Sequence, residues 1–369
     1  MVVDDSMVMR QMISDYLAKA PDIEVVGTAS DGRKAIAACL ALSPDVITLD
    51  IQMPGMDGLQ TLDELLAKKP TPVVMVSSLT HAGATITMDA LDRGAVDYVA
   101  KPDRGAAAER VLGDELVRKV RLAAGSNVRR ILEIRKRRRT RPTTLAARST
   151  APTAGAPAKA APAGEAERLL ADKCIALGIS TGGPPALGVL FEALKPPMPP
   201  ILVVQHMPAQ FTKPLAWRLD SRSQLTIREG AEGDVLKPNH VYIAPGAYHM
   251  LVRGRPGSAR VRLSNSEPVS GHKPSADVLM KSAAAVFGRN TLGVIMTGMG
   301  RDGADGCGAI RSAGGYVLGQ DEASSDVYGM NKVAFVEGHV DKQFGLYDGA
   351  RVITHFVHTR WLPSLAAAR

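Results

Sequence analysis

The sequence predicts two α/β units, each a parallel, doubly wound sheet flanked by helices. Three observations lead there. Short apolar runs alternate with helical-period stretches from the amino end to about residue 120, and the same alternation restarts at Asp172. Between them lies a stretch dominated by Ala, Pro and Arg. Strand–helix alternation at this spacing belongs to parallel, doubly wound sheets.

In the first unit the expected strands are Met1–Val3, Glu24–Thr28, Asp45–Leu49, Val73–Ser77 and Val96–Ala100. Amphipathic stretches such as Ser6–Ala20 separate them, with Met9, Met12, Ile13 and Leu17 at helical spacing. Sites on such sheets gather at the carboxyl ends of the strands. Those ends carry Asp4, Asp5, Asp50, Ser77 and Lys101. Any one of these also suits a plain structural role, since a strand-end Asp commonly caps the next helix. Three carboxylates beside one lysine are costly unless a divalent cation joins them, and hard oxygen ligands suit Mg²⁺.

These residues, in the segments VVDDS, TLDIQMPGMDG, MVSS and DYVAKP, resemble the flavodoxin-like receiver domain of response regulators over about 100 residues. The resemblance implies that Asp50 accepts a phosphoryl group from a chemotaxis histidine kinase. It further implies Mg²⁺ on Asp4, Asp5, Asp50 and the Gln52 carbonyl, and a switch made of Ser77, Tyr98 and Lys101. Only three residues precede the Asp pair, short for a central strand, so the first strand is expected to be truncated: either Met1 is a misassigned start, the favoured reading, or the receiver is weakened.

The segment expected as a linker, 121–167, accounts for the charge. The 369 residues hold 45 Lys+Arg against 37 Asp+Glu, a net +8. Residues 125–168 contain eleven basic and three acidic side chains, leaving 34 of each sign elsewhere. From Pro142 to Gly164, 20 of 23 residues are Ala, Pro, Gly, Ser or Thr, too little apolar surface to offset ordering entropy. The basic run Arg135–Arg141 therefore reads as a solvated tether. A DNA-binding regulator using it as an arm is the rival reading, but no base-reading module accompanies it. The longest apolar run, Ala35–Leu42, has eight residues, short of the ~18 of a membrane span. Cys39, Cys174 and Cys307 lack disulfide or zinc spacing. A soluble cytoplasmic monomer is expected, with neither nucleic acid nor membrane insertion.

The second unit, 168–366, has expected strands Cys174–Ile179, Ile201–Gln205, His240–Ala244, Leu292–Thr297 and Tyr316–Gly319. The first runs into Gly178-Ile179-Ser180-Thr181-Gly182-Gly183, a G-x-S-x-G turn that exposes a serine at a helix start. By itself that pattern also fits an ordinary helix cap. A serine nucleophile needs a base and an orienter. His206 directly follows the strand ILVVQ, and Asp302 follows LGVIMT through GMGRDG. His249 and His272 lie in loop-like contexts open to substrate. The order Ser…His…Asp disfavours an α/β-hydrolase. Gly298, Gly300 and Gly303 also spell a dinucleotide fingerprint, but it comes late and would aim Asp302 at a pyrophosphate.

The ordered motifs GISTGGPPAL, VVQHMPAQFT, GDVLKPNHVYIAPGAYHM, HKPSADVLM, TGMGRDGADG and DEASSDVYGM resemble the catalytic domain of the CheB protein-glutamate methylesterases. That resemblance implies a doubly wound, mainly parallel methylesterase domain with Ser180 as nucleophile, His206 as base then acid, and Asp302 as orienter. It also implies Thr181 and the Met299 backbone as oxyanion or substrate contacts, and no cofactor for the esterase. The implied function is phosphorylation-regulated hydrolysis of glutamate γ-methyl esters, and deamidation of Gln to Glu, on methyl-accepting chemoreceptors. A catalytically idle scaffold that docks receptors is the other rival. Asp326 and Asn331 depart from that family's usual apolar residue and proline.

Overall fold

The computed structural model describes residues 1–78, 80–101, 106–126, 128–129, 131–133 and 163–362. The chain splits near residue 135 into two compact units. The Arg135–Arg141 run and most of the expected linker lie outside the described residues. The boundary expected at 120 falls within the helix Ala106–Ala124, and the one at 168 within the helix Ala163–Leu170.

The first unit is a five-stranded sheet, β1 (Val2–Val3), β2 (Thr28–Ala29), β3 (Ile47–Asp50), β4 (Val73–Ser77) and β5 (Asp97–Ala100). Its order is β2-β1-β3-β4-β5 and every pairing is parallel. Side chains stop the chain from extending the strands: Ser6, Asp31, Asp57 and Thr80 each cap the following helix, Asp57 through a full capping box with Gln60. The second strand differs from the expected Glu24–Thr28 for a local reason. β1 supplies two ladder residues, Val2 and Val3, which pair with Thr28 and Ala29; Gly27 O accepts from Val2 N, and residues 24–27 lie outside the strand.

The second unit holds seven parallel strands in the order β14-β13-β12-β6-β7-β9-β8. These are β6 (Cys174–Ile179), β7 (Ile201–Gln205), β8 (Thr226–Glu229), β9 (His240–Ile243), β12 (Thr291–Ile295), β13 (Tyr316–Gln320) and β14 (Lys342–Phe344). An antiparallel hairpin, β10 (His249–Arg253) with β11 (Arg260–Ser264), stands apart. β8 and β14 are edge strands, half exposed and polar, so they carry no apolar run to announce them. From central β6 the connection leads to β7 on one side, and the chain later returns as β12 on the other. That reversal opens a crevice at the carboxyl ends of three adjacent strands.

The core beneath it joins sheet and helices: Leu202 and Val204 of β7, Tyr242 of β9, Met250 of the hairpin, and Leu279, Met280 and Phe287 of the helix Ala276–Phe287 are all buried. Gly306 lets the helix Ala304–Ser312 close on this helix, because a Cβ there would lie 2.6 Å from Met280 Cβ. No helix among the described residues is long and apolar enough to cross a membrane.

Leu202→Ala removes a fully buried side chain from this core and should cost ~2–5 kcal/mol. Both tryptophans, Trp217 and Trp361, lie in the second unit, so their fluorescence in a urea titration reads that loss directly.

Candidate active site

Ser180 directly follows β6. Its amide donates to Thr297 O at 2.9 Å, and its carbonyl accepts from Gly183 N at 2.7 Å and Gln205 Nε2 at 3.0 Å. Gly182, at φ +78°, turns the chain into the helix Gly183–Ala193. The loop after β12 passes directly against this turn: a Cβ on Gly298 would lie 2.7 Å from Ser180 Cβ. Ser180 is thus buried to 6% exposure, and its hydroxyl has no hydrogen-bond partner among the described residues.

His206 directly follows β7, with its amide bonded to Ile179 O. Gln205 Nε2 donates to both the Ser180 and the His206 carbonyls, tying the two strand ends together. The His206 ring meets Asp302 through Nε2, 2.7 Å from Oδ2. Its Nδ1 is buried without a hydrogen-bond partner. Since the carboxylate engages Nε2, Nδ1 is the nitrogen left to accept a proton.

Asp302 is fully buried and makes four interactions. Besides His206, it accepts from Ser275 Oγ (2.6 Å), Ala276 N (2.7 Å) and Asp277 N (3.1 Å). The amides belong to the first turn of the helix Ala276–Phe287, where unpaired N–H groups and the helix dipole favour an anion. Burial pushes the carboxyl up, but His206, Ser275 and the Ala276 amide pull harder and bring it down to about 2. Asp277 reciprocates: its Oδ1 accepts from Gly303 N (2.9 Å) and Gly306 N (2.7 Å), pinning the turn that carries Asp302. Burial, with the charge of Asp302 adding to it, raises the Asp277 carboxyl.

The Met299 amide, one residue beyond Gly298, makes no hydrogen bond among the described residues, and Thr181 carries its carbonyl 3.0 Å from Thr297 Oγ1. The two histidines left open by the sequence separate clearly. His249 is fully buried, accepting from Ser275 N at Nδ1 (3.2 Å) and lying 3.0 Å from Glu267 O at Nε2, so it is not exposed to substrate. His272 stacks on His206. Asn331 is buried, donating to Gln320 O and Ser325 Oγ, while Asp326 lies beside Gly182. Ser275, Asp277 and Gln205 carry no role in the sequence reading. Ser275 had a signal, a serine immediately before an apolar helical run; the other two had none.

In the first unit Asp4, Asp5 and Asp50 bring carboxylate oxygens within 4.8 Å of one another. Lys101 Nζ lies 2.9 Å from Asp4 Oδ2 and 2.8 Å from Asp50 Oδ2. The Gln52 amide donates to Asp50 Oδ1 at 3.3 Å. Burial raises the Asp50 carboxyl against the pull of Lys101; burial also lowers Lys101, but its bonds to Asp50 and Asp4 more than offset this and raise it. One ammonium facing three carboxylates leaves negative charge uncompensated, and the all-oxygen donor set fits a hard divalent cation such as Mg²⁺. Ser77 is buried, its hydroxyl accepting from Thr87 Oγ1 at 2.8 Å. Tyr98 is buried, with Lys119 Nζ 4.6 Å from its ring centroid and its hydroxyl unpartnered.

The CheB methylesterase family profile matches residues 175–353, and the response regulator receiver domain profile matches residues 1–111. A protein-glutamate methylesterase/protein-glutamine glutaminase of Caulobacter vibrioides is 44% identical over 346 residues, 94% of each chain. One of Dechloromonas aromatica is 42% identical over 353 residues, 95% of this chain and 96% of its own. One of Archaeoglobus fulgidus is 41% identical over 363 residues, 98% of both chains.

The Asp302 carboxyl, drawn from the usual 3.8 to about 2, stabilises the folded chain fully above ~pH 4 and loses that contribution as pH falls towards 2. Asp302→Asn should therefore unfold at lower urea near neutrality, by ~1–3 kcal/mol. The gap from the wild type should narrow as urea titrations are repeated from pH 5 to pH 3.

Proposed function

The chain belongs to the CheB methylesterase family and carries a response regulator receiver domain, and we propose that Ser180, His206 and Asp302 perform its hydrolysis as a triad. It is a protein-glutamate methylesterase with protein-glutamine glutaminase activity, a chemotaxis enzyme regulated through its receiver. The observation that carries the triad is the 2.7 Å bond from His206 Nε2 to Asp302, which leaves a buried, unpartnered Nδ1 on a residue whose amide bonds the last residue of the strand before Ser180.

In the proposed reaction Ser180 Oγ adds to the carbonyl carbon of a glutamate γ-methyl ester while its proton passes to His206 Nδ1. The Met299 amide and Thr181 hold the negative charge that collects on the carbonyl oxygen; one such donor is worth ~3–4 kcal/mol of barrier. As the tetrahedral carbon collapses, His206 returns the proton to the departing methoxide and methanol leaves. Water then adds to the acyl carbon, giving its proton to His206, and the Ser180 oxygen departs with that proton, leaving Glu. With Gln as substrate the same steps release ammonia. Asp302 stays ionised throughout because its pKa lies far below neutrality, so it orients and stabilises the imidazolium without taking its proton.

In the receiver, Asp50 Oδ attacks the phosphorus of a phosphohistidine on the kinase; an O–P bond forms as the N–P bond breaks. Asp4, Asp5, Asp50 and the Gln52 carbonyl would hold Mg²⁺, which when bound neutralises charge on the transferring phosphoryl group. Lys101 would exchange its ion pair with the Asp50 carboxylate for one with the phosphoryl oxygens. Ser77 would turn from Thr87 to hydrogen-bond them, and Tyr98, with a hydroxyl lacking any bond, would change rotamer. Before phosphorylation the receiver would mask the esterase incompletely, because a long tether lowers the effective concentration of the masking domain. The substrates are methyl-accepting chemoreceptors and the phosphodonor is a chemotaxis histidine kinase.

Methanol release from methylated receptor is the test. Ser180→Ala and His206→Gln should each lower kcat by ~10⁴-fold or more, and a wild-type rate in either removes the triad. A small-molecule phosphodonor should raise methanol release by the wild type only when Mg²⁺ is present. Asp50→Asn should abolish that rise while leaving unstimulated activity in place.

A further inference from the structure

One hydrogen bond fixes the position of one atom of a ring, not its tilt. His206 is held by Asp302 at Nε2 alone, and the second torsion of a histidine side chain is soft. Rotation about that anchor would move Nδ1 with no hydrogen bond to oppose it. The restraint comes from another side chain. The imidazole of His272 lies 3.9 Å from that of His206, centroid to centroid, with 6° between the planes.

His272 is itself delivered by a rigid device. Val269 and His272 exchange backbone hydrogen bonds, His272 N to Val269 O at 2.9 Å and Val269 N to His272 O at 3.1 Å. The two residues between them, Ser270 at φ +52° and Gly271 at φ +77°, are both left-handed. Two consecutive left-handed residues inside a doubly bonded pair are the mark of a type I′ turn, among the tightest of reversals. Three residues further on, Ser275 donates its hydroxyl to Asp302. The segment Val269–Ser275 thus supports His206 from two directions, through a ring on its face and through a bond to its carboxylate partner.

We infer that His272 is a positioning residue for the esterase, holding the His206 ring plane by stacking while the proton passes from Ser180 to Nδ1. The inference rests on the triad proposed above. What it requires of His272 is a flat ring, not a nitrogen. Stacked aromatic pairs contribute through their faces. A small displacement of a base from its proton donor can cost up to ~10²-fold in rate, so loss of the stack should appear in kcat.

The experiment compares kcat and KM for methanol release among wild type, His272→Ala, His272→Gln, His272→Phe and Ser180→Ala in the full chain. Loss of the ring in His272→Ala or His272→Gln should lower kcat ~10–100-fold with KM changed less than ~3-fold. His272→Phe, which keeps a flat ring without nitrogens, should return kcat to within ~3-fold of wild type. His272→Gln keeps polarity and bulk at a half-buried loop position, so a misfolded Ala variant would not remove the measurement. Wild-type kcat in the Gln variant overturns the inference. So does failure of Phe to rescue, which would make the imidazole nitrogens the active feature, and so does a rise in KM alone, which would make His272 a substrate contact. Ser180→Ala separates the two levels: an active Ser180→Ala enzyme removes the triad, whereas an inactive one beside a wild-type His272→Gln enzyme removes only the stacking role.

Discussion

Asp302 is the constraint from which the catalytic unit is organised. A carboxylate with no exposed surface would ordinarily take up a proton, and a protonated Asp302 could not orient an imidazole or balance its charge. It remains an anion because the first turn of the helix Ala276–Phe287 gives it two backbone amides and the Ser275 hydroxyl, in addition to His206. The arrangement is reciprocal. Asp277, inside that first turn, receives the Gly303 and Gly306 amides at the start of the helix Ala304–Ser312. Each helix start thereby carries the acid that anchors the other, and the close approach of the two helices at Gly306 follows from the same geometry. The packing of the fold and the ionisation of the site rest on one set of bonds.

The receiver solves the opposite electrostatic problem. There Asp4 and Asp50 each accept one backbone amide, from Ser6 and Gln52, and with Asp5 they bring their carboxylates together beside Lys101. Such a site is left short of positive charge, and its all-oxygen donor set suits the proposed divalent cation and phosphoryl transfer. In the esterase, by contrast, full satisfaction of Asp302 leaves all unused capacity on the other partners: the His206 Nδ1, the Ser180 hydroxyl and the Met299 amide. Reactive groups are those whose bonds the fold leaves unmade.

The sequence was legible wherever a signal is local. Strands Cys174–Ile179 and Ile201–Gln205 were read to their end residues, because a buried parallel strand is a continuous apolar run bounded by turn residues. Edge strands Thr226–Glu229 and Lys342–Phe344, half solvated, lack that run and carry no such local signal. Expected strand Glu24–Thr28 has the right composition, yet only Thr28 and Ala29 are paired on that side of β1. Residue type is a property of the segment, whereas a ladder is a property of two.

For the site, the sequence by itself determined the chemical kinds: a serine at a glycine-flanked turn, a histidine and an aspartate each following an apolar strand, and an acidic cluster with a lysine at the other sheet's strand ends. Tertiary structure alone decided how they meet. That His206 offers Asp302 its Nε2 and leaves Nδ1 unpaired, that His249 is sealed while His272 lies flat on His206, and that Ser275 reaches Asp302 are contacts across 26 to 96 residues of chain. Contacts at such separations follow from the order in which β12, β6 and β7 lie side by side and from the helix packed across them. Hydrophobic periodicity records which face of a segment is buried, but not which distant segment covers it.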